Sequence, residues 1–469
     1  MQNKRDHLQA HRYAGARLVS ALVRAEPDAP ERPMRRTGVG TVVGTLLGLL
    51  GLACFAVYGT VRGGTGDAWR ADGAIIREKE TNTLYVLVGD TLRPVVNYPS
   101  ARLAVGAHAH EVTVARAALA GVPRGRAIGI TDGPYALPDP GRMARGPWLV
   151  CDADGQDGRP QVVLAVGVDW PAQPVPDDQA VLVQSASDER YLALRDRRLR
   201  VTDAAVVVLG FGSVQAVPVG PAWLNALPAG GDLAAPPVAG RGTPGRRVDG
   251  HPTQVGDLFT LDVAGGASYF AMTGKGLAAI TETEYLLRQA AGGARTGPLS
   301  VAAASTAHRP ETTPMSYPPV RPRPAARLDP GRSLCTQVTG AARQDAAARL
   351  VTVDRELLRS ARPAGGADGA ADLLAVPAGG GALVSSEAAP GVSGGTTYLV
   401  TELGIKYPLG SSDIAAVLGL GGTDPVPMPG PVLSLLPTGP VLDPQAARTE
   451  VAGAETAGTT RPRTSAVAR

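Results

Sequence analysis

From Gly38 to Val61 the chain runs for 24 residues without a charge, GVGTVVGTLLGLLGLACFAVYGTV. About 20 apolar residues at 1.5 Å per residue cross a bilayer core, so the run predicts one transmembrane helix over 38–61. Arg32, Arg35 and Arg36 stand just before it and Arg62 stands alone after it. The positive-inside rule then puts the N-terminus in the cytoplasm and everything after about residue 62 across the membrane. The net charge of +4 has the same origin. Residues 1–36 hold eight of the 46 Lys and Arg and four of the 42 Asp and Glu, which leaves 38 of each in residues 37–469. A neutral body lacks the basic face that phosphates require and excludes a nucleic-acid partner.

A cleaved signal peptide would have a shorter apolar region with a small-residue site behind it, whereas this run is long and 37 residues precede it. A lipidated cysteine would have Leu or a similar residue three positions upstream. Cys54 has Gly51 there and reads as an apolar residue of a retained anchor. Gly40, Gly44 and Gly48 repeat at the spacing that lets membrane helices approach closely. Ahead of the run, His7 to Ala25 places Leu8, Leu18 and Leu22 on roughly one helical face, with Arg12, Arg17 and Arg24 supplying charge. This predicts a short helix on the membrane surface or against a partner, ended by Pro27, Pro30 and Pro33.

The two other cysteines, Cys151 and Cys335, fall in the exported region, where oxidation is permitted. One disulfide is expected, closing a loop of about 184 residues that the chain-entropy account makes worth roughly 5 kcal/mol; two buried free thiols are the alternative. With 59 Gly, 41 Pro and only 4% aromatic residues, the exported part should consist of many turns around modest cores.

That region contains four copies of a small unit. Tyr85 is followed by Leu92, Tyr191 by Leu199, Tyr269 by Leu277 and Tyr398 by Ile405, with gaps of 7, 8, 8 and 7 residues. An apolar pair or run precedes each tyrosine: Ile75-Ile76, Val181 to Val183, Leu258-Phe259 and Leu383-Val384. A helix start follows each, at Ser100, at Thr202-Asp203, at Thr281 with Glu284 in capping-box spacing, and at Ser411 to Asp413. Each unit therefore reads as strand, strand, tight turn, strand and capped helix, with antiparallel pairing. The copies start 106, 78 and 129 residues apart, which excludes a solenoid of fixed period. Arg309 to Pro330 carries seven prolines and reads as extended or polyproline-like.

No catalytic constellation, cofactor loop or metal site emerges. Gly274-Lys275-Gly276 has Tyr269 where a phosphate loop needs Gly and Gly276 where it needs Ser or Thr, and it reads as a hairpin turn. Gly391 to Gly395 matches the serine-hydrolase letters but precedes a strand rather than a helix, and reads as a glycine loop. Asp152 to Gly158 has its Gly one place late for a calcium loop and Val163 where the terminal Glu belongs, and reads as a turn. His108, His110 and Glu111 have no further ligand nearby and read as surface residues.

Several segments carry a resemblance to a known family. They are the basic helix before one span, Leu84 to Val88 with Arg93 to Asn97 and Ser100 to Leu103, Trp148 to Asp152, Leu224 to Pro228 leading to Gly240-Arg241-Gly242, Val376 to Gly381, and Leu435 to Pro444. Together they resemble the EccB subunit of the actinobacterial type VII (ESX-type) secretion system over about residues 7–446. Gly15-Ala16 stand where that family would have bulkier, more basic residues. The resemblance implies an α+β fold: one N-terminal transmembrane helix, then an elongated exported region of four small repeat domains around a central β-rich domain tied by one disulfide. It implies a hexameric inner-membrane assembly with EccC-, EccD- and EccE-like subunits, in which exported domains associate above the pore.

The expected division runs as follows: cytoplasmic helix and basic linker 1–37, span 38–61, repeats at 62–120, 179–215, 255–291 and 373–446, the last with a C-terminal wrap, and a disordered tail at 447–469. Residues 121–178, 216–254 and 292–372 form central or connecting segments. The leading function is a structural core component of the secretion complex. An extracytoplasmic ATP hydrolase and a cell-wall-binding module are the alternatives.

Overall fold

The computed structural model describes residues 4–25, 35–63, 66–155, 158–292, 294–308, 317–325, 328–340, 348–364, 370–387 and 395–452. They divide into two compact units, residues 1–71 with Val112–Val114, and the remainder.

In the first unit, α1 spans Lys4–Arg24 and leaves Leu8, Leu18 and Leu22 exposed. Pro27, Pro30 and Pro33 lie outside the described residues. The α2 helix spans Arg35–Gly63, and its stretch Gly38–Ala56 has a mean hydropathy of 2.1 with every side chain uncovered, as a lipid-facing helix requires. The Thr45 hydroxyl donates to the Thr41 carbonyl at 2.8 Å, so it is satisfied without water.

The second unit contains the repeats. Their antiparallel meanders are β1–β3 (Ala74–Glu78, Leu84–Val88, Thr91–Pro94), β8–β10 (Gln179–Gln184, Arg190–Leu194, Arg197–Arg200), β12–β14 (Leu258–Val263, Gly266–Thr273, Gly276–Ile280) and β21–β23 (Ala382–Glu387, Thr397–Val400, Lys406–Pro408). A helix follows each: α3 (Tyr98–Val105), α4 (Asp203–Val208), α6 (Glu282–Ala290) and α9 (Ile414–Val417). The sequence reading missed the next element. After the helix the chain returns as β11 (Val217–Pro218), β15 (Thr296–Pro298) or β24 (Val426–Pro429), parallel to the first strand of its repeat. A helical crossover brings a strand back in that sense. In the first repeat β4 (His110–Val114) enters with the His110 N–H donating to the Gly73 carbonyl at 3.0 Å.

Two of the expected helix caps form and two do not. Thr202 and Thr281 accept from the Ala205 and Glu284 N–H groups, but the Glu284 carboxylate turns to Arg288 instead of completing a capping box. In the first repeat Asn97, not Ser100, is the cap, and the Ser100 hydroxyl instead accepts from the Ile130 N–H. Asp413 precedes α9 without a capping bond.

A second unforeseen feature closes the meanders. Pro123-Arg124-Gly125 through Ile128, Pro228-Ala229-Gly230 through Leu233, and Pro437-Thr438-Gly439 through Leu442 share the pattern P-x-G-x-x-(I/L) and make the same three bonds. The proline carbonyl accepts from Leu92, Arg198 or Lys406 at 2.8, 2.8 and 2.9 Å. The glycine N–H donates back to the same residue, and the Ile or Leu N–H donates to Pro94, Arg200 or Pro408. These straps cover the outer edge of the third strand, which would otherwise present unpaired groups. The third repeat uses His308 instead, bonded to Leu277 and Ala279.

The central sheet has the order β19-β20-β6-β5-β17-β18-β7, from β5 (Trp148–Asp154), β6 (Pro160–Val166), β7 (Ala172–Pro174), β17 (Arg332–Val338), β18 (Ala348–Asp354), β19 (Arg362–Pro363) and β20 (Leu373–Ala375). One face carries Trp148, Val150, Leu164, Leu334 and Leu350. It packs against the undersides of the second repeat (Val181, Val183, Ala193) and the fourth (Val384, Val400, Met428), with Trp223 of α5 (Pro221–Ala226) and Val432 of α10 (Gly430–Leu433) between. The first repeat shares a core with the fourth, through Leu103, Ile128, Leu399, Ile414 and Leu442. The second shares one with Leu287 of the third. The short α7 (Val301–Ala304) belongs to the third repeat and α8 (Arg355–Leu358) follows β18.

The proline-rich stretch is extended at Arg323–Pro324, as expected, where it forms β16, parallel to β8. Two further expectations are corrected. Asp152 and Asp154 lie in β5, not in a turn. The tail is ordered beyond residue 446: after α11 (Pro444–Ala447), Arg448 donates to the Ala104 carbonyl, Glu450 pairs with Arg93 at 2.7 Å and the Val451 N–H reaches Ala127.

The straps make a sharp prediction. A Cβ on Gly439 would lie 2.3 Å from the ring of buried Tyr407, whereas one on Gly422 would touch nothing within 4 Å. Gly439→Ala should lose about 1–3 kcal/mol of stability to overpacking, and Gly422→Ala should stay within about 0.5 kcal/mol of the parent; thermal unfolding measures both.

Candidate functional site

The span Gly38 to Val61 lies wholly in α2. Added Cβ atoms on Gly40, Gly44 and Gly48 would meet nothing within 4 Å, so that face is open for close helix packing. Cys54 is exposed on the same helix and is a free thiol.

Cys151 and Cys335 are joined. They sit directly opposite one another on neighbouring antiparallel strands β5 and β17, with Cα atoms 4.0 Å apart, both fully buried on the face away from the repeats. The bond fixes β17 beside β5 and keeps strands 184 residues apart in sequence in one register. Replacing both by Ser should destabilise the chain by roughly 2–5 kcal/mol. Because both sulfurs are fully buried, alkylation of these two thiols should require reduction together with unfolding, which mass spectrometry of alkylated chains reads directly.

The repeat tyrosines are not equivalent. Tyr85 is buried and donates to Glu78 at 3.2 Å, and Glu78 is held below the usual carboxylate range by the Arg116 guanidinium. Tyr191 and Tyr398 pack against the central core. Tyr269 instead faces its own helix, its ring 4.9 Å from that of Tyr285. The third copy is thus one residue out of step with the alignment of tyrosines, and Phe270 takes the opposite face. Leu92, Leu199 and Leu277 are buried, whereas Ile405 sits half-buried in the turn before β23. The residues facing the straps are Leu92, Arg198 and Lys406. Lys406 is buried, donates to the Leu436 carbonyl at 2.5 Å, and has its pKa lowered by burial.

Gly274-Lys275-Gly276 is the tight turn between β13 and β14, and the Lys275 N–H donates to the Thr273 hydroxyl at 3.2 Å. A phosphate loop needs its N–H groups free and leading into a helix, which this turn does not offer. Glu111 pairs with Arg77, and the His110 ring contacts the His108 carbonyl. Among the described residues no group of three or more His, Cys, Asp or Glu is placed to hold a metal. Of Gly391 to Gly395, only Gly395 is among the described residues.

A groove of about 550 Å3, open to solvent, lies between the second repeat and the central sheet and is lined by Asp152, Asp154, Leu182, Val217, Leu334 and Arg355 among others. Asp154 pairs with Arg355. The Oδ1 of Asp152 is buried with no protein partner. Burial, then the charge of Asp154, pushes the Asp152 carboxyl up to about 7, against the smaller opposing pull of Arg355 and the Gly220 N–H.

Among the described residues, one helix long and apolar enough to cross a membrane, the strapped repeats and the disulfide-held central sheet define a protein of packing surfaces with a β-rich core. Residues 2–455 match the family described as "Type VII secretion system ESX-1, transport TM domain B", and the chain belongs to that family, the EccB proteins. It is 28% identical over 470 residues to the ESX-3 secretion system ATPase EccB3 of Mycolicibacterium smegmatis (strain ATCC 700084 / mc(2)155), covering 93% of this chain and 89% of the relative. It is 26% identical over 462 residues to the ESX-1 secretion system ATPase EccB1 of Mycolicibacterium smegmatis (strain MKD8), covering 94% and 93%. Its fold is similar to a chain of an EccB3 dimer from the ESX-3 core complex, with a TM-score of 0.65, 25% identity, and coverage of 80% of this chain and 100% of that one. It is also similar to a chain of an intact ESX-5 inner membrane complex, with a TM-score of 0.67, 23% identity, and coverage of 100% and 99%. The α+β architecture of this chain is the fold it shares with those structures.

Proposed function

We propose that this chain is a single-pass structural subunit of an ESX-type inner-membrane secretion complex. The observation that carries this reading is the family match from residue 2 to 455, which includes both the apolar helix and the whole repeat region. In this reading α2 anchors the chain with its N-terminus in the cytoplasm, because the arginines cluster before the span. The uncovered leucine face of α1 docks on EccC-, EccD- or EccE-like subunits. The exported repeats associate with further copies of the same chain above the channel, as the EccB3 dimer supports by analogy. A scaffold needs rigid, preformed surfaces, and the straps and the disulfide supply rigidity. The relatives' names include ATPase; the turn at Lys275 lends that reading no support.

Purification of the tagged chain from native membranes in mild detergent should recover a large particle containing the other complex subunits, read by mass spectrometry. Recovery of the chain alone would overturn the scaffold reading. The orientation has its own test. With an impermeant thiol reagent on intact cells, Asp90→Cys should label and Arg12→Cys should not; the reverse pattern would invert the topology.

A further inference from the structure

The third repeat is the least embedded of the four. Among the described residues, its clusters around Met272 and around Leu258 contain no residue of another repeat or of the central sheet. Leu287 of α6, with Leu286 beside it, enters the core of the second repeat. A second connection runs from Tyr317 to Ala325, Tyr-Pro-Pro-Val-Arg-Pro-Arg-Pro-Ala, and includes β16.

This segment holds the two repeats in turn. Tyr317 packs against the core that joins them, and its hydroxyl donates to the Ala234 carbonyl at 3.0 Å, just past the strap of the second repeat. The next bonds grip the third repeat. The Glu282 N–H donates to the Pro319 carbonyl at 3.4 Å, and the Glu282 carboxylate accepts from the Arg321 N–H at 2.9 Å. The last bonds grip the second repeat. The Arg323 and Ala325 N–H groups donate to the Asp178 and Ala180 carbonyls, both at 2.9 Å, and the Arg323 guanidinium pairs with Asp178. Proline fills positions 318, 319, 322 and 324, so the donors at 321, 323 and 325 are spared. Proline-rich backbone is semi-rigid, at about 3.1 Å per residue when extended, so a displacement at one anchor is carried to the other. Glu282 is the first residue of α6, where helix N–H groups lack internal partners, so the Pro319 carbonyl also satisfies that helix end.

We propose that residues 317–325 are a strut that sets the angle of the third repeat on the second, and that Glu282 is its latch. The Leu287 contact and the Pro319 bond are two points, and they leave rotation about the line between them. The bond from the Arg321 N–H to the Glu282 carboxylate is the third point, which removes that rotation. With it in place the two repeats move as one body. Without it the third repeat pivots, while the strut stays on β8 through Arg323 and Ala325. The latch bond lies at the surface, so it opens and closes without disturbing a core.

Distances between spin labels on the full chain in detergent test the latch. Val207→Cys on α4, Val301→Cys on α7 and Val441→Cys in the strap of the fourth repeat are exposed sites, and Cys54→Ser leaves no other free thiol. Labelled chain is diluted with unlabelled chain, so that only distances within one chain are read. The 207–301 pair should give one narrow distribution in the parent. Glu282→Ala should replace it by a broad one, with the 207–441 pair unchanged. Glu282→Gln keeps an oxygen for the Arg321 N–H and should read as the parent. Arg321→Pro removes that N–H without touching α6 and should broaden the 207–301 distribution, whereas Arg321→Ala keeps it and should not. Should Glu282→Ala fail to fold, the two Arg321 variants decide. A broad distribution in the parent, in Glu282→Gln or in Arg321→Ala, a narrow one in Glu282→Ala or Arg321→Pro, or equal broadening of the 207–441 pair would each overturn the proposal.

Discussion

A small sheet of three or four short strands has two faces and two edges, and it cannot hide them all by itself. Most of this molecule answers that constraint. In the second and fourth repeats a helix covers one face and the central sheet covers the other, so Val183 and Val384 are as buried as Leu192 and Leu399. The first and third repeats have no place on that face and bury themselves on the fourth and the second. The edges are dealt with by backbone. The returning parallel strand closes one side, and the proline-glycine strap closes the other.

The strap shows why glycine is needed at one place in each copy. A parallel strand laid against a meander must come within bonding distance twice in three residues. At Gly230 an added Cβ would sit 2.4 Å from a methyl of Leu199, and at Gly439 it would meet Tyr407. Proline two residues earlier gives up no useful donor, because its carbonyl makes the contact. The third repeat, with His308 at its contact, lacks this pattern and is also the copy whose tyrosine faces the other way.

What could be read from the sequence divides along the same line. The span needs only length and absence of charge, and helix 35–63 contains it entirely. Strands such as Leu258–Val263 and their hairpins are local, and their apolar runs and turns marked them. The parallel β11, β15 and β24 are two to four residues long and have no periodicity to detect. The straps did leave a signal, P-x-G-x-x-(I/L), visible at 123, 228 and 437, but it falls some thirty residues after the strand it covers. Aligning on tyrosine failed in the third copy because alternation makes one residue of slip exchange the two faces, and Phe270 beside Tyr269 hides the change from composition. Asp152 looked like loop chemistry because aspartates and glycines cluster around it; only its pairing with Val162 in the β5–β6 ladder shows it to be in a sheet.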